Sequence, residues 1–171
     1  MQIRYGGFMP QFKNLTELHE YLQKAVDSAL TNEVYQAVKE KQQEVIQEEV
    51  YDRYKPVHYK RRKSNGGLIA DRNIIIYGAV AKNGILIVRN ITPPNPYLDG
   101  VSGARTTTPM SADTPKLIEY GIYNPSGYGY DYWSGAKKRP FIEKTIEELQ
   151  SSDDLKKALK DGLKRQGIVA K

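Results

Sequence analysis

The chain has 171 residues, no cysteine, and 26 Lys and Arg against 20 Asp and Glu, for a formal net charge of +6. That length suits a single domain, residues 1–171, able to bury a core without covalent staples. The missing cysteine excludes disulfides, zinc–thiolate centres and thiol nucleophiles. No apolar run approaches the roughly 18 residues that a bilayer crossing needs, and the first residues lack a signal-peptide core, so a non-membrane protein made in a cytoplasm is expected.

In chain order, Gln2-Ile3-Arg4-Tyr5 reads as a short strand. Asn14 then stands as an N-cap, with Glu17 three residues on as in a capping box. Leu15, Leu18, Leu22, Ala25, Val26, Ala29 and Leu30 recur at helical spacing, and Val34, Ala37, Val38, Val45 and Ile46 continue the pattern. No Gly or Pro interrupts residues 15–51. One helix over about residues 15–50 is expected, roughly 50 Å long at 1.5 Å per residue. Asn32 offers an alternative break. The second half is mostly polar, as expected of a helix that projects or meets a neighbouring subunit; a solvated helix lying on a sheet is the blander reading.

Residues 51–72 form the junction between helix and sheet. From Val50 the sequence runs VYDRYKPVHYKRRKSNGGLIADRN. The junction carries seven Lys and Arg against two Asp, whereas residues 15–50 carry eight acids against three lysines. Pro56 stops the helix, and Asn65-Gly66-Gly67 signals a turn. The tyrosines argue for an ordered segment, because disordered ones are poor in aromatics. The cluster suits stacked bases and phosphates, carboxylates on another copy's acidic helix, or plain solvent.

Asn73–Val80 and Gly84–Asn90 read as strands joined at Asn83-Gly84, a hairpin signal. Thr92–Pro115 is rich in Pro, Gly and Thr and reads as an extended loop. Lys116–Tyr123 reads as a third strand, completing a sheet over about residues 73–123. A Tyr/Gly loop at 124–135 follows. Arg139-Pro140-Phe141 then opens a helix, with proline in the first turn, and Phe141, Ile142, Thr145, Ile146 and Leu149 form its apolar face. Ser151 or Ser152 caps a last helix, so that C-terminal helices cover 139–166. The expected class is α+β: a long N-terminal helix, a small mainly antiparallel sheet with extended loops, and C-terminal helices.

Chemistry is sparse. His19 and His58 are the only histidines. Neither has a second ligand at a metal-like spacing, and neither lies beside a nucleophile-elbow pattern. Gly66-Gly67 lacks the Gly-Lys-Ser/Thr context of a phosphate loop, and Glu48-Glu49 reads as a wet helix face. No catalytic, metal-binding or cofactor-binding residue is assigned, and a protein without enzymatic activity is expected.

The element order, with the junction motif, Ile118-Glu119-Tyr120-Gly121 and Arg139-Pro140-Phe141, resembles the head–tail joining or tail-completion proteins of long-tailed bacteriophages. The resemblance is to versions from phages of Gram-positive bacteria and covers about residues 15–165. In that family a strand ends in a Glu-bearing element, and an Arg-Pro-Phe-like start opens the C-terminal helix. The loops at Thr92–Pro115 and Asn124–Gly135 depart from the pattern. The resemblance implies a structural virion protein of the neck, in a homo-oligomeric ring, hexameric or dodecameric. Its partners would be a head connector or stopper and tail-tube or terminator proteins, with non-specific contact to passing DNA.

On this reading Tyr51, Arg53, Tyr54, Tyr59, Arg61, Arg62, Gly66 and Gly67 are expected to make subunit or partner contacts. Glu119 and Gly121 are expected to shape a turn on the sheet side, and Pro140 and Phe141 to begin the following helix. The alternatives are a nucleic-acid-binding protein or nuclease working through the junction, and a tail terminator or minor capsid component.

Overall fold

The computed structural model describes residues 11–53, 55, 61–77, 84–93, 114–121 and 138–169. The strand expected at Gln2–Tyr5, Tyr54 and Tyr59 of the junction, the interior of the Pro/Thr-rich loop and the Tyr/Gly loop lie outside the described residues. The architecture is α+β, with a long N-terminal helical run, a two-stranded sheet and C-terminal helices.

The helical run covers α1 (Leu15–Ala29), a π-helical turn (Leu30–Val34), α2 (Tyr35–Ile46) and a second π segment (Gln47–Asp52). Asn14 caps it: its Oδ1 accepts the Glu17 N–H at 2.9 Å, while Glu17 reaches back to the Lys13 N–H at 2.8 Å. At Thr31-Asn32, where a break was an alternative, the helix changes pitch instead. The Thr31 hydroxyl donates to the Asp27 carbonyl at 2.9 Å, and the Asn32 amide to the Ser28 carbonyl at 2.7 Å. Side chains that take i−4 carbonyls compete with the α-helical ladder, and a π turn accommodates the displaced bonds.

Chain contacts group into two compact units: Met1–Val38, Ile76–Ile87 and Ser152–Lys171 in one, Lys39–Ile75 and Val88–Ser151 in the other. In the first, α1 packs on α5 (Asp154–Arg165). Gly162 makes the close approach. A Cβ there would lie 2.5 Å from the Ala29 Cβ and 2.9 Å from the Ala29 Cα. Arg165 Nε donates to Glu33 Oε1 at 2.6 Å, and the Tyr21 hydroxyl to the Gln166 carbonyl at 2.6 Å. α5 ends in a Schellman arrangement: the Ile168 N–H bonds the Leu163 carbonyl and the Gly167 N–H the Lys164 carbonyl, both at 2.9 Å.

In the second unit the core is Val45, Ile46, Val50, Leu68 and Phe141, with Tyr51, Ile69, Ile118 and Ile142 packed around it. Phe141 is fully buried, worth about 2–3 kcal/mol of transfer free energy. The polar second half of the helical run is therefore a core element of its unit. Glu49, read as wet, is buried and pairs with Arg53 at 2.8 Å.

Strands β1 (Ile74–Ile76) and β2 (Val88–Asn90) are shorter than expected. The Ile91 N–H bonds the Asn73 carbonyl at 2.7 Å and the Tyr77 N–H the Ile87 carbonyl at 2.8 Å. This antiparallel register sets Ile75 opposite Arg89. Regular pairing stops there, and Gly84–Ile87 is not strand.

The strand expected at Lys116–Tyr123 is not found over its described residues: Thr114–Tyr120 is helix α3. Thr114-Pro115, assigned to the loop, forms its first turn, where proline's missing N–H costs no helical bond. α4 (Phe141–Ser151) starts immediately after Pro140, as expected. Of its expected apolar face, Phe141 and Thr145 are buried, but Ile146 is half exposed.

Candidate interaction surface

The junction is built around Tyr51, the residue that ends one core and begins the basic segment. Its hydroxyl reaches the backbone of Leu68 and Ile69, and burial pushes its pKa up. Its carbonyl accepts from Arg61 Nη1 at 2.6 Å, and the same guanidinium lies 5.0 Å from the ring centroid. The Lys63 ammonium sits 5.9 Å from that centroid. Two cations thus lie against one half-buried ring, a geometry worth about 0.5–1 kcal/mol each at partly exposed sites.

The turn at 63–67 wraps this ring. Lys63 takes φ 45° and Gly66 φ 87°, the left-handed region that side chains with a Cβ enter only at a cost of about 1–2 kcal/mol. Gly67 is required by contact. A Cβ on it would lie 2.6 Å from the Lys63 carbonyl oxygen and 2.9 Å from the Tyr51 hydroxyl. Two buried asparagines, which the sequence reading passed over, fix the segment to the sheet. The Asn73 amide donates to the Gly67 carbonyl and the Asn90 amide to the Leu68 carbonyl, both at 2.8 Å. Thr92 completes the network by donating to Asn90 Oδ1 at 2.6 Å. An asparagine beside a strand gives no hint of such a bond; only the register that places Asn73 and Asn90 near the turn does.

Of the expected contact residues, the structure gathers Tyr51, Arg61, Gly66 and Gly67 into one cluster. Arg62 bonds the Pro93 carbonyl at 2.7 Å, and Arg53 pairs with Glu49. Their guanidinium groups are engaged within the chain. Among the junction's described residues, Lys55, Lys63 and Arg72 are exposed as well. Beside the turn lies an open depression of about 550 Å³, bordered by Gln43, Ser64, Asn65, Asp71 and Arg72. It is wide open and lined by Ile69 and Ala70 as well as by the polar groups, unlike the enclosed clefts that hold small molecules. Asp71 in its rim accepts from Gln43 at 2.9 Å and lies 3.6 Å from the Lys39 ammonium.

Glu119 does more than shape a turn. It is buried at the end of α3, and its two carboxylate oxygens accept the Ile142 and Glu143 N–H groups at 2.8 and 3.0 Å. These N–H groups belong to the first turn of α4, which has no partners of its own, and a carboxylate suits the positive end of the helix dipole. Gly121, with φ 76°, lets the chain leave α3. The Arg139 N–H closes the corner on the Ile118 carbonyl at 3.0 Å. Ile118-Glu119-Tyr120-Gly121 and Arg139-Pro140-Phe141, which stand 18 residues apart between Gly121 and Arg139, are thus two halves of one helix–helix corner. Among the described residues no group of His, Asp and Glu is arranged to hold a metal ion.

The YomN family model matches residues 14–165. That is most of the chain, spanning everything from the Asn14 cap to the end of α5, and the protein belongs to this phage-associated family. No curated protein and no solved structure matches the chain.

Proposed function

We propose that the protein is a structural subunit of a phage neck, a tail-completion or head–tail joining ring that links the head connector to the tail. The family match over residues 14–165 supports a phage-related protein, and the resemblance of the junction, Ile118-Glu119-Tyr120-Gly121 and Arg139-Pro140-Phe141 to neck proteins supports the place in the particle. The preassembled turn supports the reading as well. A turn at residues 63–67 fixed by Tyr51, Gly66, Gly67, Asn73 and Asn90 offers Lys63, with Arg72 beside it, to a partner without first having to order that turn, which lowers the entropic cost of association.

In a ring, one copy's basic turn meets acidic side chains of the next through a heterologous interface that closes on itself. The partners on the two faces would be a head connector or stopper and a tail-tube or terminator protein. The role is one of assembly, with no reaction assigned. Light scattering of the purified protein from micromolar to several hundred micromolar tests the ring. A discrete closed oligomer, six or twelve copies, is expected at the upper end. A monomer at every concentration contradicts it.

A further inference from the structure

α5 has two unlike faces. Leu155, Ala158, Leu159, Gly162 and Leu163 are buried or half-buried, with Gly162 seated on Ala29 of α1. On the opposite side Lys157, Lys160 and Lys164 are exposed. They recur at i, i+3 and i+7 and so share one stripe, about 10 Å long at 1.5 Å per residue. Lys156 pairs with Asp153 at 3.8 Å, whereas none of the three stripe lysines forms an ion pair or side-chain hydrogen bond among the described residues. Asp161 borders the stripe without pairing to it.

We propose that the Lys157–Lys160–Lys164 face of α5 is a contact surface for the phosphate backbone of duplex DNA. Three features select this partner. The apolar face of α5 is already occupied by α1, so the helix has nothing to insert into a lipid interface, as an amphipathic membrane helix must. The groups are lysines, compact point charges on flexible stems that meet phosphates without fixed geometry. The choice of DNA over other polyanions rests on the phage association of the family. Such a face binds without reading sequence, and several copies in a ring would add their weak contacts into useful avidity.

The test is fluorescence anisotropy of a labelled 20-base-pair duplex with the full chain, from 20 to 200 mM salt. Three neutralised phosphates predict a plot of log K against log salt with a slope of about −3. The variant K157Q/K160Q/K164Q should flatten that slope and weaken low-salt binding by at least about tenfold, with an unchanged thermal melt. The variant K13Q/K24Q, which removes two exposed lysines of the N-terminal segment outside the stripe, should bind as wild type. Wild-type binding by the α5 variant, no binding by the wild type, or equal binding of polyglutamate and DNA at equal charge would each overturn the proposal. Any of these results leaves the neck reading standing, because that is read from oligomer mass and particle position.

Discussion

Glu119 shows what one side chain contributes to this fold. Its carboxylate serves two N–H groups at the start of α4 from a position buried to 3% exposure. Removing it leaves both part-buried donors without that partner. Glu119→Ala should therefore cost about 2–3 kcal/mol, the penalty for unsatisfied buried groups, measured as a lowered denaturant midpoint. Glu119→Gln keeps one acceptor oxygen and should lose less. If Glu119→Ala melts as wild type, the cap contributes nothing. Local capping was legible in the sequence where donor and acceptor are neighbours, as at Asn14 and Glu17. The role of Glu119 was not, because its partners lie 23 and 24 residues away. Gly66-Gly67 announced a turn, but the reason for two glycines, a left-handed backbone at one and the packed Tyr51 hydroxyl and Lys63 carbonyl at the other, needed the fold.

At the scale of elements, the pairing of α1 with α5 depends on a small residue and an ion pair. Arg165 holds the Glu33 carboxyl below the ordinary carboxylate range, chiefly through their hydrogen bond. A carboxylate depressed on folding contributes stability above its unfolded pKa, and that contribution is lost as the pH falls through the folded value. Arg165 is half exposed, so the pair is worth at most about 1 kcal/mol. Glu33→Gln should melt below wild type at pH 7, and the gap should close in acid, below the ordinary carboxylate range. A gap that persists in acid would assign the effect to packing. Helices with a long apolar period were readable from sequence: the run from residue 15, α4 and α5. α3 was not. Lys116–Tyr123 is too short for periodicity to separate strand from helix, and its β-branched residues favour the wrong choice. The contrary signal was Thr114-Pro115, a helix start read as the end of a loop. The strands were overextended because Ile85 and Ile87 look like core residues, yet both are more than half exposed.

For the whole molecule, element order with the junction, Ile118-Glu119-Tyr120-Gly121 and Arg139-Pro140-Phe141 motifs pointed to phage proteins by resemblance, and the YomN match places the chain in a phage-associated family. What composition concealed was the distribution of usable charge. The junction holds the densest run of cations, but Arg53, Arg61 and Arg62 are spent on Glu49 and on backbone carbonyls. Among the described residues, the outer face of α5 carries Lys157, Lys160 and Lys164 with no ion pair or side-chain hydrogen bond. Charge counted along a chain is a poor guide to charge offered to a partner, because guanidinium groups close to main-chain carbonyls are consumed in folding. The neck assignment is tested most directly by gold-antibody labelling of an epitope-tagged copy in particles of the encoding phage, viewed by electron microscopy. The account predicts label confined to the junction of head and tail; particles with no label there, or with the protein absent from them altogether, would contradict it.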